Sequence, residues 1–234
     1  MGAAGRDVVT SVSVAPSTKE QLVLTAERLF AEHGIDGVSL RQIAIEAGNA
    51  NNSAVQYHFG SKDNLIQAIF EHRVPHLARR RRLLAEQRPL HDLRTYVECY
   101  LLPMVEEAED ADSYYVTFLS RLQNAGAGIH PFDRLPDSVK APTLEFYQAM
   151  ATLLPEVPQT LLSTRVDRAL AVCMHACSDR ALARRHGSPV LPFALHVSDL
   201  FDGLVGYLAA PVSTATLAAL TEMGTPLRPR FAVP

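Results

Sequence analysis

Residues 38–62 read VSLRQIAIEAGNANNSAVQYHFGSK. Ser39 stands three residues before Gln42, the spacing of a capping box that opens a helix. Leu40, Ile43, Ala44 and Ala47 then fall on one helical face, and Gly48 stops the helix. Asn49 to Asn52 make a turn. Ser53 to Phe59 form a short second helix, broken by Gly60-Ser61. Two short helices around a tight turn are the elements of a helix-turn-helix. With Val55 and Phe59 inward, 100° per residue turns Ser53 and Tyr57 outward, flanked by Gln56 and Ala54. Small and amide side chains reach base edges in a major groove, Asn and Gln suiting adenine. Asn51 and Asn52 stand at the start of this helix, where either can also serve as its cap.

The pattern extends both ways. Ser17, three before Glu20, opens a helix with Leu22, Ala26, Leu29 and Phe30 on one face, ended by Gly34. Ser61 caps a long helix running to about Glu86, apolar at 65, 66, 69, 70, 74, 77 and 84, with Pro75 as a possible kink. Further helical segments are 90–109, 113–125, 139–154, 158–186, 193–209 and 213–222. In 193–209 the apolar stripe is Phe193, Val197, Leu200, Phe201, Leu204, Tyr207 and Leu208. No period-2 strand occurs, so the expected fold is all-α with nine or ten helices.

Composition fits a globular chain. Of 234 residues 47% are hydrophobic and 20% charged, enough for a sizeable core. Three cysteines, Cys99, Cys173 and Cys177, make no disulfide framework. Residues 1–15 form a loose polar tail without a leader pattern, and no 18-residue apolar run exists. These features predict a cytoplasmic protein with no membrane partner. The net charge is −3, which taken alone argues against nucleic acid. Residues 1–64 hold five basic and seven acidic side chains, yet none of the acids lies in 47–61. Placement thus matters more than the sum.

From Lys19 to Leu65 the chain resembles the N-terminal domain of TetR/AcrR-type transcriptional regulators. Ala26, Leu29, Phe30, Gly34, Ser39, Ile43, Ala44, Ala47, Gly48, Tyr57, His58, Phe59, Gly60, Ser61, Lys62 and Leu65 carry the resemblance. It implies that Tyr57, His58 and Lys62 touch phosphates. Ser39 would bind a phosphate at a helix N-terminus, with Arg41 close to the same strand. Gly48 to Tyr57 is one residue longer than the commonest family spacing. Asn51, Asn52, Ser53 and Gln56 are therefore base-reading candidates as a group. The rest of the chain resembles the family only in being helical.

Other constellations point elsewhere. Arg79 to Arg82 girdle a helix and cannot all face one partner, which suits a solvated face or local acid partners. Cys173 and Cys177, one turn apart, read as buried thiols. His72 and His76 have metal-ligand spacing but no third ligand, and no metal site is expected. Glu106, Glu107, Glu109 and Asp110 read as a solvated acidic surface. No phosphate loop, Gly-x-Ser-x-Gly, His-Glu-x-x-His or Cys-x-x-Cys occurs, so no catalytic residue and no cofactor is assigned. Tyr100, Met104, Tyr114, Tyr115, Phe118, Phe146 and Cys173 are candidates for a ligand cavity, or for plain core.

The resulting expectation is a tail over 1–15, a DNA-binding head over 16–64 and a helical ligand-binding and dimerisation domain over 65–234. The resemblance implies a repressor released from a palindromic operator by an apolar small molecule. It also implies a homodimer joined through 158–186 and 193–209. A constitutive DNA-binding regulator, or an all-α enzyme or adaptor with a silent helix-turn-helix, would share the same motif.

Overall fold

Each predicted capping serine stands at the head of its helix. In the computed structural model, which describes residues 17–48, 54–123 and 136–223, the Oγ atoms of Ser17, Ser39 and Ser61 accept from the N–H three residues on, at 3.2, 3.1 and 3.2 Å. Asp92 and Ser213 cap later helices in the same way. The ten helices among the described residues are α1 (Thr18–His33), α2 (Leu40–Glu46), α3 (Ala54–Phe59), α4 (Lys62–Gln87) and α5 (Leu93–Glu107), then α6 (Tyr115–Gln123), α7 (Asp137–Leu153), α8 (Gln159–Arg185), α9 (Phe193–Ala209) and α10 (Thr214–Glu222). No strand occurs among the described residues. Gly48 and Gly60 end α2 and α3 with φ of 70° and 72°, backbone that a side chain would strain.

Two apolar cores result. The head core gathers Leu22, Ala26, Leu29 and Phe30 of α1, Ile43 and Ala44 of α2, Val55 and Phe59 of α3, and Leu65, Ile69 and Phe70 of α4. It also takes Tyr115, Phe118 and Leu122 from α6, far along the chain. The body core joins Val97, Leu101 and Met104 of α5 to Phe146 and Met150 of α7, Val166 and Cys173 of α8, and Phe201, Leu204 and Leu208 of α9. Helix α6 is the wedge between them. Val116 faces the body core, Phe118 the head core, and Leu119 packs against both. Fully burying a side chain such as Phe118 contributes about 1.5–3 kcal/mol, so α6 contributes real stability to the head.

The α9 stripe is narrower than its sequence suggests. Phe201, Leu204 and Leu208 are buried and Val197 and Leu200 half-buried, but Phe193 and Tyr207 face outward. The acidic group at the end of α5 is not a solvated surface. Glu106 pairs with Arg80, Glu107 with Arg73, and Glu109 with Arg180 and Arg184. The basic partners stand 26 to 75 residues away and only the fold brings them close. Cys173 and Cys177 are free, buried thiols. Their mutual hydrogen bond and burial hold the Cys173 thiol well above its ordinary range. No single helix among the described residues is long and apolar enough to cross a membrane.

Candidate nucleic-acid interface

Helix α3 is six residues long and is held from behind. Val55 and Phe59, one turn apart, sink into the head core. The opposite side therefore faces out: Tyr57 is 85% exposed, and Gln56 and His58 are exposed beside it. The Tyr57 and His58 rings meet edge to face at 5.2 Å. This aromatic stands in solvent above a buried anchor and adds nothing to the head core.

The carbonyls that a short helix leaves open at its end are covered by side chains. Gln56 donates from Nε2 to the Gly60 carbonyl at 2.9 Å, and Asn64 donates from Nδ2 to the Phe59 carbonyl at 2.7 Å. Lys62 donates from Nζ to the Ile35 carbonyl at 2.8 Å, tying the start of α4 to the loop after α1. Lys19 lies 6.0 Å from the Phe59 ring centroid, a cation–π contact across the head. These contacts fix α3 between α1 and α4.

Ser39 and Arg41 begin α2, both exposed. The Ser39 hydroxyl accepts the Gln42 N–H and keeps its own proton to donate. Arg41 makes no ion pair among the described residues, whereas Arg28 is paired with Glu32 and Glu46. Asn51, Asn52 and Ser53 lie outside the described residues. Ser39, Arg41, Gln56, Tyr57, His58 and Lys62 all belong to α2, α3 and the helix ends beside them.

The candidate ligand residues divide between the two cores. Tyr100, Met104, Phe146 and Cys173 pack in the body core. Tyr115 and Phe118 lie in the head core, with Tyr114 packed at its edge under the Arg185 guanidinium. A cleft of about 200 Å³ between α4, α5 and α7 is lined by Tyr100 but by none of the other candidates.

The pair that links head to body has no signature in helical periodicity or spacing. Arg73 of α4 reaches Glu27 of α1 and Glu107 of α5. Burial alone would pull the Arg73 guanidinium down, but the Glu27 hydrogen bonds and the Glu27 and Glu107 charges push it up. The one local hint was Glu27 standing next to Ala26 on the apolar face of α1, a carboxylate that needs a partner.

A helix-turn-helix head set on a helical body defines a class of DNA-binding proteins. Residues 18–69 match the family model described as bacterial regulatory proteins, tetR family. The match is confined to the head, and the chain as a whole has the fold of TetR-family transcriptional regulators. The HTH-type transcriptional repressor AcnR of Corynebacterium glutamicum is 36% identical over 53 residues, 23% of this chain and 28% of the repressor. AcnR of Corynebacterium efficiens is 34% identical over the same length. The matched stretch thus spans little more than a quarter of these relatives. Two solved structures share the fold at greater length. A tetR family transcription regulator from Shewanella sp. PV-4 superposes with a TM-score of 0.56 at 19% identity, covering 82% of this chain and 97% of that one. The fatty acid degradation regulator FadR from Bacillus halodurans gives 0.55 at 13% identity, covering 83% and 97%.

Proposed function

We propose that the chain is a homodimeric transcriptional repressor that binds a palindromic DNA operator and releases it when a small molecule enters the helical body. The observation that carries the reading is the outward face of α3, where Tyr57 stands 85% exposed above the buried anchors Val55 and Phe59. In this reading Ser39, Arg41, Tyr57, His58 and Lys62 hold phosphates, while Gln56, Asn51, Asn52 and Ser53 read bases. Phosphate contacts fix register and base contacts carry sequence.

One short helix reads few base pairs, so two heads about 34–36 Å apart are needed for a specific site. The second copy docks on α8 and α9. Arg168, Val172, His175 and Asp179 line the open side of α8, and Leu195, Gly203, Gly206 and Tyr207 that of α9. A Cβ at Gly203 or Gly206 would meet no atom within 4 Å, so both glycines leave room for a partner helix. Ligand then acts by favouring a conformer whose head spacing no longer fits the operator. Helix α4 spans the distance, from Lys62 beside the head to Gln87 in the body.

A gel shift with the promoter DNA flanking the chain's own gene tests the reading. Wild type binds and Tyr57→Ala weakens binding on every sequence tried, with thermal stability unchanged because Tyr57 packs on nothing buried. Gln56→Ala changes sequence preference instead. Absence of a wild-type shift overturns the proposal.

A further inference from the structure

The arginine run of α4 is not used by the DNA face. Arg80 forms two hydrogen bonds with Glu106, at 2.8 and 2.7 Å. Its neighbours Arg81 and Arg82 form no ion pair among the described residues, and both line the 200 Å³ cleft between α4, α5 and α7. Arg81 is half-buried. It donates from Nε to the Tyr100 carbonyl at 2.9 Å, and its guanidinium carbon lies 4.0 Å from the Tyr100 ring centroid. Phe146 stacks on the same ring, centroids 4.0 Å apart and planes 14° from parallel. The stack fixes the guanidinium plane while its two terminal nitrogens keep their protons unused.

The rest of the wall is apolar or aromatic. Tyr96, Leu90 and Cys99 line it, and Glu145 is the one acid. Two arginines against one carboxylate leave a single positive charge unmatched. A volume below the roughly 300–1,000 Å³ of drug-sized sites admits only a small occupant.

We infer that this cleft binds a small organic carboxylate with an apolar body. The carboxylate takes the free N–H groups of Arg81 and the mouth-side guanidinium of Arg82, a pairing that fixes orientation as well as charge. The body lies against Tyr96, Leu90 and Cys99. A monoanion matches the single excess charge, whereas a phosphate dianion would meet Glu145. The inference rests on the effector reading above and gives that effector its chemistry.

Titration calorimetry on the full chain tests it with benzoate and octanoate, the neutral benzamide and octanamide, and inorganic phosphate. At least one carboxylate binds saturably. Its amide binds at least about tenfold more weakly, the loss of one charged hydrogen bond. Arg82→Gln, an exposed change that leaves folding intact, brings the carboxylate down toward the amide, and Arg81→Gln does so further. The inference is overturned if no carboxylate binds, if amide or phosphate binds as well as carboxylate, or if Arg82→Gln leaves affinity unchanged. The heat is read without DNA, so a chain that binds carboxylate but shifts no promoter fragment overturns only the repressor reading. A chain that shifts DNA but binds no carboxylate overturns only this one.

Discussion

Arg73 donates from Nε and Nη2 to the two carboxylate oxygens of Glu27, both at 2.7 Å, and so joins α4 to α1. The Glu27 side chain is 1% exposed. One of its oxygens also accepts the Tyr114 N–H at 3.0 Å, from the loop before α6. Arg73 turns its remaining nitrogen to Glu107 at 2.9 Å, and Ser113 donates its hydroxyl to the same carboxylate at 2.6 Å. Head, long helix and body thus share one buried charge cluster. Such a cluster is satisfied only in one geometry, because each partner removed leaves another charge buried alone.

Glu27→Met therefore destabilises the chain by about 3–5 kcal/mol, since Arg73 is left without its main counter-charge. Arg73→Met costs a similar amount. The double variant Glu27→Met with Arg73→Met costs less than the two together, because neither member of the central pair is left facing a missing partner and Glu107 keeps the Ser113 hydroxyl. Urea unfolding of the four proteins gives the coupling directly. Simple additivity would show that the pair acts independently.

The head also leans on α6. Phe118 stacks near Phe30 at 6.2 Å and meets Phe70 edge to face at 6.0 Å. Phe118→Ala should cost about 3–5 kcal/mol and lower the melting of head and body together. A fragment of residues 16–64 lacks Phe118, Leu65, Ile69 and Phe70, and should show little cooperative melting by circular dichroism. A fragment that melts as sharply as the full chain would falsify this view of α6.

These two dependences mark the limit of what the sequence discloses. Caps, glycine stops and helical periodicity act within four residues, and they locate α1 to α4 and most of the body helices. The outward turn of Tyr57 follows from burying Val55 and Phe59, again local geometry. Glu27 and Arg73 are 46 residues apart, and Arg121 reaches the Ala31 carbonyl across 90. No periodicity encodes such pairings. The aromatic cluster divides between the two cores for the same reason. Tyr114 to Phe118 and Tyr100 to Met104 look alike as apolar stripes, but α6 turns Tyr115 and Phe118 toward a different core from that of α5.

Acid should weaken the fold through two histidines. Burial, then the Arg73 charge, holds His72 below its ordinary value of about 6.5. Burial, then Arg180, does the same to His196, whose Nε2 is buried without a hydrogen-bond partner among the described residues. The folded state thus prefers both rings neutral, while the unfolded chain takes protons more readily. Their stability is intact above about 6.5 and is lost as pH falls through the lower folded values. Melting temperatures from pH 7.5 to 5 check this. His72→Gln and His196→Gln should each flatten the acid limb, and parallel profiles would remove the histidines from the account.

The open face of α9 makes a sharper test of assembly than truncation does. Gly203→Leu adds a side chain where one protomer has free space. Within a protomer it should be neutral or stabilising, since glycine costs a helix roughly 1 kcal/mol against better helix formers. Across a dimer it collides with the partner. Light scattering at micromolar concentration should show wild type as a dimer and Gly203→Leu as a folded monomer. The monomer should also bind promoter DNA far more weakly. A wild-type monomer, or a variant that stays dimeric, would place the second copy elsewhere.

The salt dependence of DNA binding follows from how few head cations remain for phosphate. Arg28 is held by Glu32 and Glu46 and Lys19 sits over the Phe59 ring, which leaves Arg41 and Lys62 as the phosphate contacts of the proposed DNA face. Lys62 also donates from Nζ to the Ile35 carbonyl. With two such cations per head, a dimer neutralises about four phosphates, and log K should fall with log salt at a slope near −4, about −0.9 per phosphate. Arg41→Ala should reduce the slope by nearly two in the dimer, one per head. Tyr57→Ala should lower affinity without changing the slope, because an uncharged ring releases no counter-ion. A wild-type slope of about −8 or steeper would mean that basic side chains outside α2, α3 and the start of α4 reach the DNA. Affinity would then rest on charge rather than on the hydroxyl, amide and helix-end contacts that this face presents.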